Sequence, residues 1–423
     1  MAITIEQAPN MWNRRKSRII FIASSTNTGQ PNFRYYVEVV EGTSLTPFAT
    51  FLIQPNPAGR LVFDLAGAIG DRVQVDDDNV NGVGFMHDLP TQLNFIFGKS
   101  SKNFKDYTIG VFEYYGTPPA VDPATEQKEK CVVIDGMTPV SLGAGYDLYT
   151  DYGSTSSNNA FWFTNSRSIK AAQGDRACMA FINNINAALG TANAVAIEYT
   201  LYNNTTVVAT ENILLNTTNG TILPSANFFP DGKVTYMGVL PDNLSDADSP
   251  LTPANVPNVN TWTHYTLRPT DGFGVPWGQP LTITNTPHPC KHDPAALVWT
   301  NDLGGWDYFR FDGRITTTPN GKAKTYEKLV GSYAATEPFT YNTFDRGTTD
   351  YYVERSQDYT LRSGYVTELE KRLISNIAKS RNIYLYYRGW KPVNLKSGSV
   401  PFGENYSKAQ FVTITVTASN DDY

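Results

Sequence analysis

ALVWTNDLGGWDYFRFDGR, residues 296–314, decides how the chain is read. An apolar run meets a polar break at Asn301-Asp302, then Gly304-Gly305, then an aromatic run built around Asp307. Successive strand residues point to opposite faces, so Asp307 shares a face with Phe309 and Phe311. Trp306, Tyr308 and Arg310 share the other face with Asp312. Aromatic side chains on both faces suit a strand held between layers, with Asp312-Gly313 starting the turn that follows. Trp306, Phe309 and Phe311 are therefore expected in a core, and Gly304 or Gly305 at positive φ, which a residue without a Cβ adopts freely. Asp302, Asp307 and Asp312 are the obvious nominees for the paired carboxylates of sugar hydrolysis. The alternation splits them, and the stretch reads mostly as architecture.

The same pattern, a short apolar strand and then a longer aromatic one, occurs twice more. IFIASS leads to NFRYYVEVVEG (32–42), and AFINNI leads to AVAIEYTLYNN. Three echoes of one hairpin point to repeated sandwich domains. Further strand-like runs lie at 47–54, 59–65, 91–101, 106–116, 205–215, 382–395 and 408–419, at the near-regular spacing of an all-β chain. The fold class expected is mainly β: tandem antiparallel β-sandwich domains, Ig-like or jelly-roll-like, with one helix in the C-terminal region. The boundaries drawn are 1–125, 126–289 with long loops, and 290–423. The polar, Pro-bearing 117–130 is read as a linker. The helix is set at 366–379, where Val366, Leu369, Leu373, Ile374 and Ile377 recur at helical spacing and Thr367 with Glu370 has the form of a capping box.

Composition agrees. Of 423 residues, 13% are aromatic and only 17% charged, with 25 Tyr, 22 Phe, 32 Gly and 26 Pro, a mixture that favours short strands and turns over helices. A net charge of −6 argues against a dedicated nucleic-acid binder, whose phosphate contacts need clustered Lys and Arg. Cys131, Cys178 and Cys290 are scattered and odd in number, which suits synthesis in a reducing compartment. The run IIFIA after the basic N-terminal cluster is too short for a signal sequence or a membrane span, so the expectation is a protein made in the cytoplasm with no membrane partner.

Site signals are sparse. In DDNVNGVGFMHD (77–88), Asp77, Asn79, Asn81 and Gly82 match the first half of a calcium loop, and Asp88 falls at its twelfth position. Gly84 in place of the apolar anchor and the short Asp88 favour a solvated acidic loop instead; calcium is the only cofactor the chain suggests. His288, Cys290 and His292 alternate as a zinc seed would, without a fourth ligand nearby, and a loop with Cys290 packed as a small apolar residue accounts for them better. There is no nucleophile elbow, phosphate loop or dinucleotide fingerprint, so no catalytic residue is nominated and the chain is expected not to be an enzyme.

PHPCKHDPAALVWTNDLGGWDYFRF followed by KTYEKLVGSY resembles a recurrent pattern in structural proteins of tailed phages infecting Bacteroidota, including crAss-like phages. The elements are Cys290 in the lead-in, Trp299 and Asn301, the Gly304-Gly305 turn, then Trp306, Asp307, Tyr308 and Phe311. Residues 32–69 and 369–395 look like the same family's beginning and end, and 117–285 carry no such likeness. The resemblance implies a virion component of β-sandwich domains in a collar, tail-associated, fibre or spike position, working by assembly with other virion proteins. It brings no catalytic residues. A homo-oligomer is expected from exposed strand edges, with the Tyr-rich NIYLYYRGW as the poorly protected one. The N-terminal MWNRRKS and C-terminal ASNDDY read as arms that order on docking. The alternative is a carbohydrate- or receptor-binding protein that meets a host surface glycan through loop aromatics such as Trp162.

Overall fold

The computed structural model describes residues 3–76, 85, 87, 96–97, 102–138, 148, 152, 160–182, 196–214, 234–245, 249, 251–257, 261–270, 274–286, 292–328, 330–331, 338–340, 342–344, 346–396 and 411–419. The chain is mainly β, built of several antiparallel sheets. It divides into two compact units. The first comprises Met1–His288, Val298–Phe309 and Lys379–Arg381, and the second Pro289–Leu297, Arg310–Ala378 and Asn382–Tyr423.

The first unit opens with a sandwich. A three-stranded antiparallel sheet (Ile3–Gln7, Ile20–Ser25, Arg60–Asp64) shares one core with a five-stranded sheet (Trp12–Arg14, Pro119–Ile134, Phe104–Gly116, Arg34–Glu41, Ala49–Ile53). Period-two patterning drives it: along Arg34–Glu41, Tyr35, Val37 and Val39 are fully buried while their neighbours are not. Facing them across the core are Phe21, Ala23, Leu61 and Phe63 from the smaller sheet. Two further sheets follow. One orders Ser168–Ala171, Leu281–Asn285, His264–Thr270, Ala196–Asn203 and Thr206–Leu214; the other orders Cys178–Ile182, Val234–Gly238 and Ile96–Phe97.

The segment 117–130, expected as a linker, is a hairpin turn and its return strand. Gly116 pairs with Pro119 across a two-residue turn, and Pro119–Ile134 runs back along Phe104–Gly116. Pro118 and Pro119 fall in the turn and at the strand's first residue, where proline is tolerated, and the half-exposed return strand keeps its polar side chains in water. The N-terminal MWNRRKS is not an arm either. Trp12–Arg14 pairs in parallel with 132–134, Trp12 and Arg14 are buried, and Arg15 bridges Asp71 at 3.0 Å and Asp135 at 3.1 Å. At the other end Thr413–Ala418 is a strand, and 420–423 lie outside the described residues.

The strands of the seven-stranded sheet follow the order Trp306–Phe311, Ala295–Thr300, Ile383–Tyr386, Trp390–Leu395, Thr413–Ala418, Thr348–Arg362, Thr316–Glu327. The Tyr-rich strand expected at an edge, Ile383–Tyr386, is therefore an inner strand with a neighbour on each side. The helix forms at Glu368–Ser375 and continues as a 3-10 turn to Lys379, with Thr367 and Glu370 making the full capping box. Val366, Leu373, Ile374 and Ile377 are buried as the spacing requires, whereas Leu369 is 76% exposed. Two shorter helices, Leu65–Ile69 and Pro241–Leu244, carry no long periodic pattern and are absent from the sequence reading. Among the described residues no helix is long and apolar enough to cross a membrane.

Candidate interaction surface

The opening stretch is a knot of satisfied polar groups within the first unit. Asn301 folds the turn over its own side chain: Oδ1 accepts from the backbone N–H of Leu303 and of Gly305, both at 2.9 Å, and Nδ2 donates to the Phe163 carbonyl at 2.8 Å. Gly304 has φ of 87°, and a Cβ there would run into the Asp135 carbonyl. Its own carbonyl accepts from Asn103 Nδ2 at 2.6 Å, the Leu303 carbonyl accepts from Arg14, and Asp302 accepts from the Met137 N–H. Trp306 is fully buried, donates its indole N–H to the Asp76 carbonyl at 3.2 Å and meets His87 edge-on at 4.7 Å. Burial lowers the His87 imidazole to about 3, and its Nδ1 accepts from the Cys178 N–H at 3.0 Å.

The nominated carboxylates hold separate partners. Asp307 is fully buried, and its Oδ1 accepts from Thr164 Oγ1 (2.8 Å), the Asn165 N–H (3.0 Å) and Asn301 Nδ2 (3.0 Å), its Oδ2 from Asn165 Nδ2 (2.9 Å). Desolvation outweighs these bonds and raises its pKa. Asp302 pairs with Lys379 at 3.3 Å, and Asp312 with Arg310 at 2.7 Å. Phe309 and Phe311 are buried as expected, so every residue of the aromatic strand is engaged in packing. Trp162, the aromatic on which the glycan-binding alternative rested, is 1% exposed and packs against Phe161 and Phe181. It presents no face to a sugar. Asp77, Asn79, Asn81 and Asp88 of the calcium reading lie outside the described residues, as do His288 and Cys290; His292 is exposed.

The feature that sequence reasoning missed is in the second unit. Thr316–Glu327 and Thr348–Arg362 form a long antiparallel hairpin, Thr316 opposite Thr360 and Glu327 opposite Thr348. Only 358–362 of its second strand also pairs with Thr413–Ala418. Among the described residues, 348–357 have no second neighbour, so a two-stranded ribbon runs on past the sheet for about 30 Å at 3.3 Å per residue. At its base Asp358 takes Asn320 Nδ2 at 2.6 Å, the Thr417 hydroxyl at 2.7 Å and Lys396, and these hold its pKa down against burial.

Beyond that anchor the ribbon is exposed on both faces. One carries Lys322, Lys324, Tyr352 and Glu354, with the Lys324 ammonium 5.4 Å from the Tyr352 ring; the other carries Gly321, Ala323, Val353 and Arg355. Tyr326 lies 6.3 Å from Tyr351, the bulged residue left unpaired between 350 and 352. Tyr326, Phe339, Phe344, Tyr351 and Tyr352 are between 49% and 80% exposed. The large apolar side chains most exposed in the described part of the first unit are aliphatic or Met, such as Met11, Leu45 and Val275. The hairpin escaped detection because neither strand alternates apolar with polar. The usable signal was β-propensity, the Thr and Tyr content of ITTTPNG and TTDYYVE. No family model matches the chain, and no curated protein matches it.

Proposed function

We propose that the chain is a structural component of a phage virion, in a collar, tail-associated or fibre position, that acts by assembly with other virion proteins rather than by catalysis. The observation that carries the reading is the ribbon of 316–357 with its exposed tyrosines and phenylalanines. A two-stranded ribbon with no sheet neighbour is marginally stable in water, and aromatic side chains left in solvent are the residues that supply most interface energy. A surface of this kind gains its stability when another protein covers it. The phage-structural resemblance of 287–311 supplies the setting, and the polar networks around Asp302 and Asp307 are consumed in holding the fold.

The test is incorporation. A variant with 325–350 replaced by a two-residue Asn-Gly turn should keep the wild-type thermal transition of the first unit and be missing from purified particles. Absence of the wild-type chain from particles overturns the reading, and so does full incorporation of the shortened one.

A further inference from the structure

We infer that the open edge of the ribbon at 348–357 is completed by the same edge of a second copy of this chain, the two strands pairing antiparallel about a two-fold axis at Val353. The inference rests on the assembly reading above and names the partner.

The backbone is set up for it. Ser363 donates its N–H to the Val412 carbonyl, on the side of Thr413–Ala418. Backbone groups two residues apart along a strand point the same way, so 361, 359, 357, 355 and 353 aim their N–H and C=O at that side too. The strand Thr413–Ala418 takes up 358–362, and no described strand takes up 353 or 355. Such an edge is a template for another strand. The first strand of the hairpin is the protected one, with Pro319, Lys322 and Lys324 along it, whereas 348–357 has no proline and no lysine.

Side-chain complementarity fixes the partner and the register. A two-fold perpendicular to the sheet keeps each side chain on its own face, so a residue pairs with one an even number of positions away. With the axis at Val353, Val353 meets Val353 on the axis, and Tyr352 meets Glu354 once on each side of it. Moving the axis to 354 sets Glu354 against itself, to 355 sets Arg355 against itself, and to 352 centres the pairing beside the bulge at Tyr351. Like charges directly opposite are destabilising and a bulge interrupts regular pairing, so of these centres Val353 is the one that remains. The product is a four-stranded sheet that puts Tyr351, Tyr352 and Val353, now 47% to 63% exposed, into an interface.

The full-length chain is tested with Val353→Cys. Residues opposite each other in a hydrogen-bonded pair have Cα atoms about 5.5 Å apart, within disulfide reach. Oxidation should convert most of V353C to a species of twice 46.9 kDa on a non-reducing gel, with wild type and Asp350→Cys left as monomers. Arg355→Pro, which removes an outward N–H and leaves the ladder to Thr316–Glu327 intact, should lose the dimer seen by sedimentation of the wild type. Equal cross-linking of V353C and D350C overturns the register. A wild type that stays monomeric at high concentration, or V353C captured by a chain of different mass in lysate of infected cells, overturns the second copy as occupant. Particle incorporation that requires the hairpin, together with an uncross-linked V353C, would remove this inference and leave the assembly reading standing.

Discussion

The turn at 301–307 and the hairpin at 316–362 stand next to each other in sequence and use the same residue types to opposite ends. In the turn, Asn, Asp and Trp are buried and each polar atom of Asp307 has a donor. On the hairpin, Lys, Glu, Tyr and Phe stand in solvent, anchored at the base by Asp358. Composition does not distinguish a stretch whose interactions are all satisfied inside the chain from one whose interactions are still to be made. Pairing does: the first is fixed by bonds to residues more than a hundred positions away, whereas the second, beyond its base at 358–362, is held among the described residues only by its own opposite strand.

The largest expected effect is at Trp306. Trp306→Ala removes a fully buried indole, its bond to the Asp76 carbonyl and its contact with His87, and should cost about 3–5 kcal/mol in urea unfolding of the first unit. A loss under about 1 kcal/mol would mean the turn is not the anchor described.

His87 comes next and is read by pH. Its imidazole titrates near 6.5 when unfolded and, through burial, at about 3 when folded. A depressed pKa on a base means the neutral form is the folded one. The stability it contributes is present above about pH 6.5 and is lost as pH falls towards 3, at about 1.4 kcal/mol per pH unit. Asp307 works in the opposite direction, because its raised pKa favours the folded state as pH falls. Comparing His87→Gln with wild type isolates the histidine: the wild type should lose about 2 kcal/mol more than the variant between pH 6.5 and 4.5. Parallel pH curves would sink the assignment.

Asp307→Asn is smaller. The amide keeps the shape but turns an NH2 towards groups that are themselves donors, leaving at least one of them unmatched at a cost of about 1–3 kcal/mol. Asp307→Ala should be no milder, since it strands all of them. A neutral Asn variant would show that these bonds are replaced by water.

What the sequence made legible follows the same division. The strand alternation at 34–41, the capping box at Thr367 and Glu370, the burial of Trp306, Phe309 and Phe311 and the positive φ of Gly304 are local consequences of side-chain type, and all appear. What was misread depends on distant partners. Polar 119–134 is a strand because Phe104–Gly116 lies beside it, MWNRRKS is core because Val132–Ile134 receives it, and Trp162 is buried by Phe161 and Phe181. The ribbon was the hardest, since a strand that among the described residues meets only its hairpin partner has no reason to alternate.

The smallest effect on stability should come from the hairpin, and it is the one that separates the two regions most sharply. Tyr351→Ser, Tyr352→Ser and Phe344→Ser together remove side chains that are 63%, 51% and 80% exposed. Replacements at exposed positions away from packed features change stability by about 0.5 kcal/mol or less each. The triple variant should therefore unfold in urea almost as the wild type does, and its apolar surface should fall, read as weaker binding of a hydrophobic dye. Its association should nonetheless collapse, because side chains that contribute little to the isolated fold are those an interface would bury. Trp306→Ala gives the mirror image: a weakened first unit whose hairpin still associates at temperatures below its melt. If the serine variant loses several kcal/mol, the aromatics are internal packing and the contrast between turn and ribbon fails. If it is as stable as wild type and associates as well, the ribbon is surface without a partner.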